Sequence, residues 1–267
     1  MSTWKVTEAD ILSRLEVGMV WAELCRKAAR STNTRQTRAI FCLATFCGLR
    51  NSEICGLRLR DAKLDIPRPV LDVPVGVAKG LRPRQVPLWR LPTALGCLAA
   101  WKAERYGQGA GAMDRLVCAQ SHSAQGRPLD RRNARARFIS ACAVLGPERQ
   151  AMLTIHNGRH TCASHLLAAG WPLPAVRDLL GHANIWTTSL YSHVVVDDLT
   201  PPDPFAFAAG GGTPPSPWPP LRWRRLWYER AQGGCLARAG VDSVDADRTL
   251  NSLCPARFCQ RQQCQPG

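Results

Sequence analysis

Two histidines, an arginine and a tyrosine stand at informative spacings between Thr154 and Val194. His156 and Arg159 lie three residues apart at a predicted helix start, so we expect their side chains to project from one face toward a common point. His182 and Tyr191 follow, with no acidic or cysteine partner at ligand spacing, so we expect no metal site. Cations and imidazoles around one hydroxyl suit phosphoryl transfer to a tyrosine, with arginines binding the non-bridging oxygens and an imidazole managing the phenol proton.

Each of these residues also has an ordinary structural interpretation. A single histidine near a helix end is usually a hydrogen-bonded structural residue, and a single tyrosine usually packs as an amphipathic side chain. Only the joint spacing of the four residues favours a reaction centre.

Two helices must position these side chains. The first continues through Leu166 and ends at Gly170, with Pro172 just beyond it, which is typical of a helix C-terminus. A short second helix covers 174–180 and ends at Gly181, immediately before His182.

Three segments carry a family resemblance: H-N-G-R-H-T, L-L-G-H and L-Y-S-H-V. They resemble the carboxy-terminal signature of tyrosine recombinases, the phage integrase and Xer family, and the separations between His156, Arg159, His182 and Tyr191 match that family's pattern. The resemblance implies that Tyr191 is the nucleophile and that Arg159 stabilises the pentavalent phosphorane. It also implies that the two histidines handle protons and hydrogen-bond the phosphate, without a cofactor.

The segment F-C-G-L-R-N-S-E-I-C-G-L-R-L-R-D resembles the first motif of the same family, T-G-L-R-x-S-E-L-x-x-L-x-x-x-D. The resemblance implies that Arg50 is the first catalytic arginine and that Glu53 supports the site. A glycine turn would present Arg50, Ser52 would cap the next helix, and Glu53 would brace a nearby cation or imidazole. An exposed Arg–Glu pair taken alone is more often a surface ion pair of little consequence.

A β-hairpin is predicted from Pro69 to Leu88, because apolar residues alternate on both sides of a Lys-Gly turn. Its A-K-G-L-R-P-R-Q-V-P-L resembles the family's mobile hairpin, G-K-G-x-x-R-x-V-P-L. The resemblance implies that Lys79, at the tip, is the general acid for the leaving 5′ oxygen. Without the motif, a lysine at this place is a solvated or edge-protecting residue.

Further helices are predicted at 5–30, 36–47, 92–106 and 131–145. The first would be capped by Thr7 and would carry Leu15 in its apolar stripe. Four arginines in the first half of the last helix would follow a DNA backbone or form a solvated face: Arg131, Arg132, Arg135 and Arg137. The expected fold class is therefore mainly α with a small antiparallel β-sheet, which the resemblance identifies with the DNA breaking-rejoining enzyme fold.

The formal charge of +15 is unevenly distributed along the chain. Residues 1–196 hold 27 Lys/Arg against 13 Asp/Glu, whereas residues 197–267 hold 8 against 7. A basic surface suits double-stranded DNA, although solubility alone also explains one. No targeting segment or apolar stretch of membrane-spanning length is evident, so we expect a cytoplasmic protein with no membrane partner. Most of the twelve cysteines sit singly in apolar patterns, as free thiols do.

The chain divides by composition into a catalytic domain at 1–196 and a Pro/Gly-rich tail at 197–267, which we expect to be disordered. The family's pattern begins close to Met1, so we expect its amino-terminal core-binding domain to be absent. Gly158 stands where the family has leucine, and we expect a missing core side chain there.

The sequence thus predicts a site-specific DNA recombinase or integrase that breaks and rejoins DNA through a 3′-phosphotyrosyl intermediate. The resemblance implies a homo-oligomer, a tetramer on paired sites. Two alternatives stay open: relaxation of DNA like a type IB topoisomerase, and a truncated, catalytically weak DNA-binding remnant of an integrase.

Overall fold

A computed structural model of the chain describes residues 6–78, 83–121 and 126–182. These residues form a mainly helical domain with one small antiparallel sheet, which confirms the predicted fold class. The helices are α1 (Arg14–Ala28), α2 (Thr32–Thr45), α3 (Asn51–Gly56), α4 (Pro92–Gly107), α5 (Arg131–Ala141), α6 (Pro147–Met152), α7 (Ile155–Ala168) and α8 (Leu173–Leu180). The strands are β1 (Ala62–Lys63), β2 (Val70–Val73) and β3 (Arg84–Pro87).

Helix α2 lies at the centre of the domain, and α1, α4, α5 and α7 all pack against it. Its second half is buried on every side because neighbours cover each face. Aromatic rings join these helices: Trp21 and Phe46 have centroids 4.8 Å apart, and Phe41 stacks on Phe138 at 5.5 Å. The segments on either side of α2 are therefore held against one rigid core.

The first helix begins later than the sequence predicts. Ser13 and Glu16 cap it reciprocally, since the Glu16 N–H donates to Ser13 Oγ at 3.2 Å and the Ser13 N–H donates to Glu16 Oε2 at 2.7 Å. The prediction of a Thr7 cap was wrong, because Thr7 precedes only a short 3-10 turn. Leu15 is 75% exposed, so its place in the apolar stripe was also wrong.

The predicted hairpin is present as β2 and β3, which pair antiparallel, with β1 adding a third strand beside β2. Leu71 and Val73 on β2 and Val86 on β3 face the core. Arg84 pairs with Val73 and lies two residues before Val86, so it occupies the same inward face. Lys79 lies in 79–82, outside the described residues.

The expectation of a missing core side chain at Gly158 was wrong. A Cβ added at Gly158 would lie 3.0 Å from each of three atoms, Ala44 Cβ, Thr45 Oγ1 and Phe138 Cε2. Helix α7 therefore lies so close to α2 and α5 that their side chains already occupy the space that a leucine would need here. The glycine is a packing requirement here.

The described part of the chain has two further general properties. Its eight cysteines are free thiols, six of them buried, as expected for small apolar side chains. None of its helices is both long and apolar enough to cross a membrane.

Restoring the family's leucine should therefore destabilise the domain. We expect Gly158→Leu to lower the free energy of unfolding by about 1–3 kcal/mol, because an overpacked core must shift side chains or backbone. Gly96, also inside a helix, has nothing within 4 Å of an added Cβ. Gly96→Ala should instead raise the free energy of unfolding by about 0.5–1 kcal/mol. Urea unfolding of both variants checks this, and a stabilising Gly158→Leu would contradict the packing argument.

Candidate active site

Three arginines converge on the last backbone carbonyls of α8, a group we call the α8 carbonyl end (the oxygens of Leu179, Leu180 and Gly181). Carbonyls at a helix C-terminus lack hydrogen-bond donors within the helix and carry partial negative charge. A guanidinium group donates hydrogen bonds to them and also brings a positive charge. The contacts are Arg84 Nε to the Leu179 oxygen (2.7 Å), Arg159 Nη2 to the Leu180 oxygen (2.6 Å) and Arg50 Nη2 to the Gly181 oxygen (3.3 Å).

The turn after α2 delivers Arg50 to this position. Gly48 adopts a φ of +64°, which favours glycine, and its carbonyl accepts a hydrogen bond from Arg159 Nη1 at 2.5 Å. A Cβ on Gly48 would lie 2.5 Å from Leu180 Cδ2, so only glycine lets the end of α2 and the end of α8 meet. Arg50 then takes an extended conformation at the N-cap position of α3.

Glu53 is fully buried and connects two of the arginines. It accepts the Arg50 backbone N–H at 2.9 Å and Arg50 Nη1 at 3.1 Å. Burial alone would raise the pKa of Glu53, but the hydrogen bonds and charge of Arg84, with the Arg50 N–H, lower that pKa to about 2. The expectation that Ser52 caps α3 was wrong, because Arg50 holds the N-cap position and Ser52 lies inside the helix.

Arg84 is the residue at this site to which the sequence assigned no role. Its Nη1 and Nη2 donate to the two Glu53 oxygens at 2.9 and 2.7 Å, and its side chain is only 6% exposed. The available signal was the hairpin motif itself, in which an arginine stands two residues before the inward-facing Val86. A charged residue at an inward strand position needs a buried partner.

His182 follows the α8 carbonyl end directly. Gly181 closes α8 in the left-handed conformation, with a φ of +66°, and the His182 N–H donates to the Arg177 carbonyl at 3.1 Å. Burial, followed by the positive charges of Arg159, Arg50 and Arg84, lowers the pKa of His182 to about 3. The imidazole is therefore neutral at pH 7, in surroundings suited to an anion.

Helix α7 holds the remaining predicted residues. Its start is fixed by Asn157, whose side-chain oxygen accepts the Thr154 N–H at 2.8 Å and whose Nδ2 donates to the Asp10 carbonyl at 2.9 Å. His156 lies exposed in the first turn, with its ring 4.7 Å from that of His160 in an edge-to-face arrangement. Arg159, by contrast, is 2% exposed, so the two neighbours on this face differ sharply in burial.

The structure thus brings Arg50, Glu53, Arg159 and His182 together, and His156 contacts His160, whose charge also acts on His182. Lys79 and Tyr191 lie outside the described residues. Across the part of the chain that the structure describes, no three His, Cys, Asp or Glu residues gather as metal ligands would. A cationic, largely buried centre with one neutral imidazole can bind a phosphate and exchange a proton with it.

Comparison with known proteins places this centre in a family. The phage integrase family model matches residues 20–197, and the chain belongs to that family. Among its relatives is the tyrosine recombinase XerC of Corynebacterium efficiens, 31% identical over 186 residues, or 69% of this chain and 54% of the relative. The XerC of Rhodospirillum centenum is 36% identical over 162 residues, or 61% of this chain and 43% of the relative. The chain thus spans about half the length of the relatives it matches.

Solved structures show the same fold at lower identity. XerA recombinase superimposes with a TM-score of 0.55 at 20% identity, covering 68% of this chain and 60% of XerA. XerH recombinase bound to its difH substrate in a pre-cleavage complex also gives a TM-score of 0.55, at 21% identity, covering 72% of this chain and 52% of XerH. The described domain therefore has the tyrosine recombinase catalytic-domain fold.

The lowered pKa values of the buried histidines make the free energy of unfolding depend on pH. Burial lowers the pKa of both His160 and His165 to about 4. An unfolded histidine binds a proton below about pH 6.5, so between that pH and about 4 the unfolded state binds more protons. We therefore expect the free energy of unfolding to fall as pH decreases from 6.5 to 4.5, by up to about 1.4 kcal/mol per pH unit per histidine. Glu53 acts at lower pH, since its contribution is lost only as pH falls from about 4.5 toward 2.

Urea unfolding at stepped pH measures this dependence, and His165→Gln provides the internal comparison. The His165 Nε2 lies 3.0 Å from the Leu12 carbonyl oxygen, a contact that a glutamine amide can keep without titrating. The slope should flatten in the variant. An unchanged slope would show that His165 is not a source of the pH dependence.

Proposed function

We propose that this chain carries the catalytic domain of a site-specific DNA recombinase or integrase, which breaks and rejoins DNA through a 3′-phosphotyrosyl intermediate. The observation that carries the proposal is the convergence of Arg50, Arg159 and the neutral His182 at the α8 carbonyl end. Membership of the phage integrase family and the XerC relatives support it.

The proposed reaction exchanges one phosphodiester for another. The phenol oxygen of Tyr191 forms a bond to phosphorus while the bond from phosphorus to the 5′ oxygen breaks. Lys79 gives a proton to that leaving oxygen, and His156 and His182 accept or share the phenol proton and hydrogen-bond the phosphate. Because a diester is retained, the reverse attack by a 5′ hydroxyl rejoins the strand, and no cofactor or external energy source is needed.

The arginines supply the electrostatic part of the reaction. Negative charge grows on the non-bridging oxygens as the phosphorane forms, and preorganised cations in a partly buried site stabilise it without reorganising. The guanidinium of Arg50 has five N–H donors, and its two described contacts leave this 20% exposed side chain able to reach a phosphate. Arg159 is held by two backbone carbonyls, so its charge is fixed in place.

Double-stranded DNA is the proposed partner, and the start of α5 is a proposed contact surface for it. Arg131, Arg132 and Arg135 are exposed there. Asn51 Nδ2, in the residue after Arg50, donates to the Arg131 carbonyl at 2.9 Å, which sets these arginines beside the site. This favours backbone contact over a merely solvated face. The solved XerH holds its difH substrate, and by analogy we propose a homotetramer on paired sites.

The two other interpretations of the sequence are separated by experiment. The family match does not favour a type IB topoisomerase. Such an enzyme would relax supercoiled DNA without joining two sites. A catalytically weak remnant would bind DNA and leave no covalent adduct.

The nucleophile can be tested by trapping the intermediate. A pool of nicked duplexes with randomised sequence, from which covalent adducts are recovered under denaturing conditions, should yield an adduct joined through Tyr191. Tyr191→Phe should abolish the adduct, because the attacking oxygen is lost. Tyr106→Phe is the matched control, since Tyr106 is half-buried in α4, and it should leave adduct formation intact. No adduct from the unaltered chain, or an adduct through another tyrosine, would contradict the proposal.

The role of Lys79 can be tested with the leaving group. Lys79→Ala should slow cleavage by about 100- to 10,000-fold, the usual contribution of a general acid. A duplex whose bridging 5′ oxygen is replaced by sulfur should restore most of that rate, because a thiolate leaves without protonation. Arg50→Ala should not be rescued by sulfur, since it acts on the non-bridging oxygens. Equal rescue of both variants, or of neither, would remove Lys79 from this role.

A further inference from the structure

We propose that Arg84 is a positioning residue for strand cleavage, which holds Glu53 so that the guanidinium of Arg50 is left for the scissile phosphate. This inference rests on the proposed function of the site. It concerns a residue that does not itself need to touch DNA, because its side chain is only 6% exposed.

The carboxylate of Glu53 is bound mainly by Arg84. Arg84 binds both Glu53 oxygens, at 2.9 and 2.7 Å, in the bidentate arrangement that arginine prefers with a carboxylate. Arg50 makes a single side-chain contact with the same carboxylate, at 3.1 Å. Arg84 therefore neutralises the Glu53 carboxylate more than Arg50 does.

Without Arg84, the carboxylate of Glu53 would need another cation. A fully buried carboxylate must be paired, and Arg50 is the next guanidinium already in contact with it. Arg50 would turn to bind both oxygens, and Glu53 would then neutralise the charge of Arg50. Arg84 prevents this by neutralising Glu53, which leaves the charges of Arg50 and Arg159 to face an anion.

Arg84 also contacts the backbone just before His182. Arg84 Nε donates to the Leu179 carbonyl, and a Cβ on Gly181 would lie 2.9 Å from Arg84 Cδ. The arginine stem thus packs against the residue before His182 and fixes the backbone from which that imidazole projects. Arg84 is also the first residue of β3.

The experiment compares Arg84→Met with the double variant Arg84→Met/Glu53→Gln, using adduct formation on the duplexes selected above. Arg84→Met should lower the maximal cleavage rate about a hundredfold, as misplaced reacting groups do, with a smaller change in the DNA concentration for half-maximal rate. Removing the Glu53 charge releases Arg50, so the double variant should cleave at least about tenfold faster than Arg84→Met. A purely structural role predicts the opposite, because the double variant loses two buried partners and would be no faster.

A second readout does not depend on cleavage. Binding to a duplex of random sequence, measured in the Tyr191→Phe background over a range of salt concentrations, reports the number of phosphates contacted. Loss of the Arg50 contact in Arg84→Met should reduce the slope of log K against log salt by about 0.9, and Glu53→Gln should restore it. If the unaltered chain forms no adduct but this pattern holds, the proposed function fails, while the inference that Arg84 holds Glu53 and leaves Arg50 for a phosphate stands.

Two further variants complete the design. Arg35 is the matched control, because it pairs with Glu104 on another helix at 2.5 Å and donates to the Ala28 carbonyl at 2.8 Å, with no described contact at the site. Arg35→Met should keep the cleavage rate and the salt slope. Arg84→Lys keeps the charge without the bidentate geometry and should fall between the unaltered chain and Arg84→Met. An Arg84→Met variant with unaltered maximal rate and slope would overturn the proposal.

Discussion

The carbonyl end of one short helix determines the arrangement of the site. The last peptide groups of α8 have no partners within the helix, and three guanidinium groups from β3, α7 and the start of α3 supply them. Three guanidinium groups so close together repel one another. The helix dipole and the buried carboxylate of Glu53 offset this repulsion, so the positive centre is stable in the absence of a ligand.

The close packing of the helices follows from that requirement. Arg159 reaches both the Gly48 and the Leu180 carbonyls only because α2, α7 and α8 approach one another at glycines. Gly48 allows the end of α2 to meet α8, and Gly158 allows α7 to lie against α2 and α5. A larger side chain at either place would move a guanidinium relative to the carbonyls. The precision of the site is thus a property of the backbone, which the aromatic core around α2 keeps rigid.

Local patterns in the sequence predict most of the fold, and the resemblance to tyrosine recombinases implies that Arg50, Glu53, Arg159 and His182 belong to one site. Periodicity and turn signals are local, so helices, the hairpin and the glycine at the end of α8 could be read directly. The hairpin motif marks Arg84 only as a charged residue on an inward face. The partners of Arg84 and the packing around Gly158 could not be read, because they involve atoms that are distant in sequence. The prediction for Leu15 was wrong because Leu15 lies two positions before the buried Val17, about 200° around the helix, and so on the opposite face. The neutral state of His182 depends on burial among charges that no spacing rule reveals.

The order in which the chain can assemble follows from the long loops that the arginines close. Arg50 and Gly181 are 131 residues apart in sequence, and Arg159 and Gly48 are 111 apart. Contacts of such separation carry a large closure entropy and form late in folding. The helices can form locally before this centre exists, because their caps are short-range. A partly folded or newly synthesised chain therefore has the arginines but no assembled cationic centre, and the proposed reaction centre exists only once the domain is complete.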